Sequence, residues 1–194
     1  MESSMFRTSL ESEHFRLTQM HHTDFDALYA VAKDPAIWAQ HPESNRWQEA
    51  MFRRFFAAGL ANPEGCFVIT DKDTEQVIGS TRCYRFDHRE PSVWLGYTFL
   101  ARLYWGGGAN TKIKQSQLAF LFGHVAAVYF EIGENNIRSQ KALRKFGVEE
   151  IERSEQGLKK GNLEFRLTRE AFRERSPLGQ ASAWEVPQGG LLDT

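Results

Sequence analysis

Apolar and polar side chains alternate along residues 14–20, HFRLTQM, and that period of two predicts a first strand. Residues 22–34 change period: Phe25, Leu28, Tyr29 and Ala32 fall on one helical face, behind Thr23 and Asp24 as N-cap residues and before Pro35 as a stop. A second helix is predicted over 46–61, RWQEAMFRRFFAAGLA, ending at Asn62 and Pro63. Residues 66–71 and 76–87 then read as two strands of a hairpin around the polar turn KDTE.

Residues 92–100, SVWLGYTFL, predict the next strand, and three glycines separate it from a helix over 110–126. In that helix Ile113, Leu118, Leu121 and Phe122 supply one buried side. The apolar run 127–133, AVYFEIG, predicts a central strand, and 136–148 a helix that opens on asparagine and closes on Lys-Phe-Gly. Two last strands are expected at 149–155 and 163–170, around the turn GLKKGN. The order is βααβββαβαββ, an α/β fold with a mixed sheet, in which only 92–133 has the form of a parallel crossover. Residues 1–175 are expected to form one domain. The Gly-, Pro- and Ser-rich tail 176–194 is either a disordered terminus or an arm docked by Trp184.

Composition narrows the classes. With 41% hydrophobic and 25% charged residues among 194, the chain has the make-up of a globular protein with a sizeable core. A formal net charge of -1 offers no global argument for nucleic acid. Cys66 and Cys83 are too few for a disulfide framework and are read as reduced, buried hydrophobes in strands. No apolar run approaches the ~20 residues that span a bilayer. The first residues lack a basic-then-apolar signal, so a cytoplasmic protein is the expectation. The six histidines are scattered, and no metal site is expected.

The candidate chemistry centres on GYTFLARLYWGGGANTKIKQ, residues 96–115. A strand–loop–helix junction gathers unpaired N–H groups at a helix N-terminus, where the helix dipole also favours an anion. Gly106, Gly107 and Gly108 let the backbone approach a phosphate closely. Asn110 and Thr111 can cap the helix or add side-chain contacts. Taken alone, the loop fits a phosphate cradle and a tight turn equally well. Walker A is excluded, because GGGANTK has no glycine before its lysine; the Rossmann fingerprint would need glycine at Thr111.

With IGENNIRSQKALRKFGV following after a strand, residues 92–148 resemble the GNAT superfamily of N-acetyltransferases. The Rim-type branch, which includes ribosomal-protein alanine acetyltransferases, is the nearest in look. The resemblance implies acetyl-CoA as co-substrate and an amine acceptor, a protein N-terminus or a small molecule; relatives are often homodimers. Its acyl-CoA signature, (Gln/Arg)-x-x-Gly-x-(Gly/Ala), aligns with Trp105 through Asn110: Gly108 matches the central glycine, Trp105 replaces Gln or Arg, and Asn110 follows Ala109 in place of the last small residue. By the same likeness Tyr97, Thr98, Phe99 and Leu100 would offer backbone groups to the pantetheine arm. The loop from Arg102 to Thr111 would hold the diphosphate. Asn136 and Ser139 match the Asn-x-x-Ser beside the thiol end. Lys112 and Lys114 either reach the ribose phosphate or lie on a solvated helix face.

Acetyl transfer needs a deprotonated amine, a polarised thioester carbonyl and a protonated leaving thiolate. Backbone N–H groups near Leu95 to Tyr97 are candidates for the carbonyl oxygen. Ser139 either serves the thiolate or makes a local helix bond. The carboxylate of the Rim-type Glu-(Ile/Leu)-Gly-Tyr is replaced by Trp94, so Glu90 or His88 is the substitute base, or each sits in a solvated turn. The superfamily's general-acid tyrosine is replaced by Leu143. Asp34, Trp38, His41 and Trp47 cluster at the break between the two helices, where they either surround the acceptor or, for the tryptophans, pack the core. A CoA-binding module without transfer, and a phosphate-binding regulator, are the other readings.

Overall fold

The computed structural model describes residues 6–152 and 161–175. Eight strands form one mixed sheet: β1 (Leu10–Glu11), β2 (Phe15–Gln19), β3 (Cys66–Asp71), β4 (Gln76–Asp87), β5 (Ser92–Leu100), β6 (Ala127–Gly133), β7 (Glu149–Ile151) and β8 (Asn162–Thr168). Their spatial order is β1-β2-β3-β4-β5-β6-β8-β7. Only the β5–β6 pair is parallel. It is joined by α4 (Ala109–Leu121), the crossover that the period change from strand to helix predicts.

Two cores lie on the two faces. On one, α4 and α5 (Ile137–Arg144) cover Cys83, Val93, Leu95 and Phe130. On the other, α1 (Phe25–Ala32), α2 (Pro35–Trp38) and α3 (Glu49–Leu60) pack on Val68 and Phe99. Phe52, Phe55, Phe56 and Gly59 recur along one stripe of α3 and are buried. The rings of Phe25, Tyr29, Phe55 and Phe99 surround Phe52 with centroids 5.6–6.0 Å away. Each phenyl ring buried this way stabilises the fold by about 1.5–3 kcal/mol relative to exposure.

Local sequence explains most element ends. Asp34 accepts from the N–H of Ala36 with Pro35 at the first helical position, so the chain breaks after α1 and restarts as α2. The expected 46–61 helix begins only at Glu49, because Arg46 is drawn inward to pair with Glu43. The strand expected to reach Glu170 ends at Thr168, and α6 (Arg169–Arg175) follows, burying Phe172. β1, two residues long, gave no periodic signal. Most of the turn 157–162 and the tail 176–194 lie outside the described residues. Cys66 and Cys83 are buried and unbridged. Among the described residues no helix is long and apolar enough to cross a membrane.

Candidate active site

β5 and β6 begin as partners and then separate. Their register runs Ser92↔Ala127, Val93↔Val128, Trp94↔Tyr129 and stops. Beyond it Leu95 to Leu100 and Phe130 to Gly133 diverge, so the facing backbone edges have no strand partner across the gap. Interior strand edges with unmet N–H and C=O groups are costly unless something else supplies the missing bonds. The widening lies inside the sheet, which makes it a slot for an extended ligand carrying amide groups.

A bulge aims the slot. Ser80 pairs with Phe99 but Arg82 with Gly96, so Tyr97 and Thr98 together oppose Thr81. Tyr97 takes φ +52°, a left-handed conformation uncommon for a bulky side chain. The extra residue reverses the alternation: Leu95 faces α4, while Tyr97 and Phe99 both pack with α3. Thr98 is left on the α4 side, where its hydroxyl meets that of Thr81 at 2.9 Å.

The resulting groove, about 260 Å³, is lined by β5 from Leu95 to Leu100, by β6 from Phe130 to Gly133, and by the N-terminal ends of α4 and α5. Of the residues read from the sequence it gathers Tyr97, Thr98, Phe99, Leu100, Trp105, Gly106, Gly108, Asn110, Thr111, Asn136 and Ser139, with Trp38 and His41 on the far wall. Gly106 and Gly108 have φ +78° and +84°, and a Cβ added to any of the three glycines meets nothing within 4 Å. This cradle is open, with α4 beginning at Ala109 behind it.

Side chains around it are tied down. The Trp105 indole donates to Leu100 O at 3.0 Å, and the Arg138 guanidinium lies 3.8 Å from its ring centroid. The Trp105 ring thus holds a cation by stacking. Arg138 also donates to Ile37 O at 3.1 Å, reaching from α5 to α2. Asn136 caps α5, accepting from Ser139 N at 3.2 Å. The Ser139 hydroxyl has no hydrogen-bond partner among the described residues. Leu143 is buried against the groove.

Other expected residues lie elsewhere. Arg102 is held outside the groove by Asp34 at 2.6 Å, and Asp34 is occupied as the α2 cap. Ala109 is buried, and neither it nor Gly107 is among the groove-lining residues. Glu90 and His88 sit in the turn between β4 and β5, before the first pair of the closed end, so the structure does not bring them to the groove. Trp47 is 40% exposed and not part of the lining. Lys112 is exposed on α4, whereas Lys114 is turned inward.

Arg46 and Glu131 line the groove and carried no sequence signal, and Lys114, which the sequence left between a ribose-phosphate contact and a solvated face, lines it too. Arg46, 4% exposed, is bound by Glu43 and stacked over Phe55 with its carbon 4.8 Å from the ring centroid. Burial pushes its guanidinium down from the ordinary arginine range, and Glu43 opposes that. Glu131 projects from β6 and accepts from Asn162 at 2.7 Å. Lys114 is 8% exposed, 5.8 Å from the Phe130 ring centroid, and has no hydrogen bond or ion pair among the described residues. Burial pushes its ammonium down to about 8.

Adjacent residues of a strand point to opposite faces. Phe130 lies under α4 with Lys114, while Glu131 shares the other face with Tyr84, whose phenol it helps to hold protonated after burial has done most of that. The slot therefore connects a face bearing an ammonium to a face bearing a carboxylate.

Solved structures share this architecture. A GCN5-related N-acetyltransferase from Brucella melitensis superposes with TM-score 0.72 at 18% identity, over 84% of this chain and 79% of that one. An acetyltransferase (GNAT family) from Bacillus anthracis gives 0.66 at 12%, over 82% and 98%. Mycobacterium smegmatis RimJ, in complex with CoA-disulfide, gives 0.62 at 18%, over 80% and 82%. At these identities the likeness is one of fold. No curated protein sequence matches the chain. The model of the acetyltransferase (GNAT) domain matches residues 14–149, most of the chain, and the protein belongs to that family.

Proposed function

We propose that the protein moves an acetyl group from acetyl-CoA to a primary amine, on a protein N-terminus or a small molecule, by direct attack on the thioester. The observation that carries this is the slot between β5 and β6, opening beside an uncovered glycine loop at the start of α4. An acyl-CoA fits it in chemistry. The pantetheine arm has amide groups for the unpaired edge of β5, and a diphosphate suits the N–H groups and dipole of α4. RimJ, similar in fold, was solved with CoA-disulfide.

The chain's own groups divide the work by face. Residues Leu95 to Tyr97 border the narrow end of the slot and are the backbone donors there; Leu95 and Gly96 keep register with β4, and the bulge takes Tyr97 out of it. Glu131 is the one carboxylate among the groove-lining residues. It takes the role of Glu90 and His88, which lie outside the groove lining: drawing the proton from the attacking ammonium, directly or through water. Trp94, stacked on Tyr129 with centroids 5.4 Å apart, walls the acceptor side with Tyr84. A Rim-type preference for protein N-termini is the finer reading that the Trp105 and Leu143 replacements support.

The test is release of free CoA thiol on mixing the protein with acetyl-CoA and a panel of amines that includes N-terminal peptides. Turnover on any of them is the expected result. CoA binding without turnover on any would favour the second reading, a binding module, for which Trp94 in the usual carboxylate position is the specific observation. Absence of CoA binding at millimolar ligand would end both.

A further inference from the structure

Lys114, like the Ser139 hydroxyl, is a group in this groove that the reading above leaves unused, and it is the one that carries a charge. A lysine 8% exposed, with no carboxylate, carbonyl or hydroxyl bonded to it, is an expensive thing to keep in a fold. Its ammonium faces Phe130, the first residue of β6 past the last β5–β6 pair, so it stands at the narrow end of the slot. The backbone donors of Leu95 to Tyr97 border the same end. Leu143 lines the groove and has no proton to give.

We propose that Lys114 is a catalytic residue, the proton donor to the sulfur that leaves when the acetyl group is transferred. This rests on the acyl-CoA reading. The acceptor nitrogen forms its bond to the carbonyl carbon, and the C–S bond breaks with its electron pair on sulfur. A proton passes from Lys114 Nζ to that sulfur, giving the free thiol. The neutral lysine regains a proton from the one released by the acceptor nitrogen on the Glu131 face, through solvent. Donor and acceptor are matched, since an ammonium pushed down to about 8 meets a thiol of about 8.5.

Of the ionisable groups near it, Cys83 faces it from β4, and its thiol is pushed up to about 12 by burial and so stays neutral. Tyr97 on β5, Glu131 on β6, Arg138 on α5, Lys145 just past its end, and His41, Arg46 and Tyr104 line the same groove; none of them forms an ion pair with it.

The experiment compares wild type, Lys114→Met and Lys114→Arg, each first shown to bind CoA by calorimetry. Ultraviolet absorbance of the thiolate is followed against pH in each CoA complex. Wild type is expected to ionise the bound thiol about one unit or more below the Lys114→Met complex, because the ammonium stabilises the thiolate. In turnover, Lys114→Met should lose about 100-fold in kcat with little change in KM. Lys114→Arg, charged but too weak an acid, should stay near the methionine variant. Coincident thiol titrations, a methionine variant with wild-type kcat, or full rescue by arginine would each overturn the proposal. If wild type itself binds no CoA, the acyl-CoA reading has failed instead. Methionine removes a buried charge and fills similar volume, and arginine provides the second variant should it misfold.

Discussion

Replacing Gly108 by alanine separates what the loop does for the fold from what it does for the ligand. Gly108 precedes α4 at φ +84°, and its carbonyl accepts the helix's first-turn bond from Lys112 N at 3.0 Å. An L-residue in that conformation is strained by about 1–2 kcal/mol. No atom lies within 4 Å of the new Cβ, so no clash adds to the strain. For a chain of this size that corresponds to a melting-temperature drop of about 2–8 °C. The same Cβ enters the open space in front of α4, where a diphosphate would have to come close to the main chain. Displacing one charge-assisted hydrogen bond forfeits about 1.5–3 kcal/mol, or roughly 10- to 150-fold in Kd. Calorimetry on the folded variant should therefore show CoA binding weakened by that factor. Binding of pantetheine, which lacks the diphosphate, should hardly change. An unchanged CoA Kd, or equal losses for both ligands, would refute the argument that this loop holds the diphosphate.

Three further outcomes are expected. A Cβ at Gly79 would lie 2.0 Å from Phe99 O, so Gly79→Ala should destabilise the protein by about 1–3 kcal/mol or more and lower its melting temperature; wild-type stability would contradict the close β4–β5 approach. Glu131→Gln should lower kcat about 100-fold at neutral pH while leaving CoA affinity intact, and an undiminished rate would remove Glu131 as the base. Lys114 protonates near 10.5 in the unfolded chain and near 8 in the fold, so the unfolded chain binds more protons between those values. Stability should consequently rise with pH across that window relative to Lys114→Met. The variant's advantage, at most about 3 kcal/mol, should be complete below pH 8 and vanish toward pH 10.5. Urea midpoints at pH 7, 8, 9 and 10 measure it, and a gap constant with pH would disprove the shift.

The strands and helices that position the site were legible because their burial is periodic. Residues 66–71, 76–87 and 92–100 appear as strands at the predicted bounds, and the crossover 92–133 is parallel as expected. What failed to show was wherever a charged residue goes inside. Arg46 reads as the first turn of a helix and instead plugs the core beside Glu43 and Phe55. Lys114 reads from the sequence as either a solvated or a phosphate-facing lysine. Its neighbours Ser116 and Gln117 are also buried, because α4 lies flat on the sheet and the sheet beneath it is partly polar at Thr81 and Thr98. The bulge at Tyr97 is likewise invisible in SVWLGYTFL, since one extra residue changes no residue type.

The sequence by itself determined the order of the elements, the glycine loop at the head of a helix, and the missing carboxylate and tyrosine at positions 94 and 143. The first two follow from local periodicity and backbone freedom; the last rests on the resemblance of residues 92–148 to the GNAT superfamily. Only the tertiary structure decided that β5 and β6 part after Trp94, that Glu131 and Lys114 stand on opposite faces of the opening, and that Glu90 and His88 stand away from it. Those relations come from register and from which face of each strand meets which helix, contacts between residues far apart in the chain that no local pattern encodes.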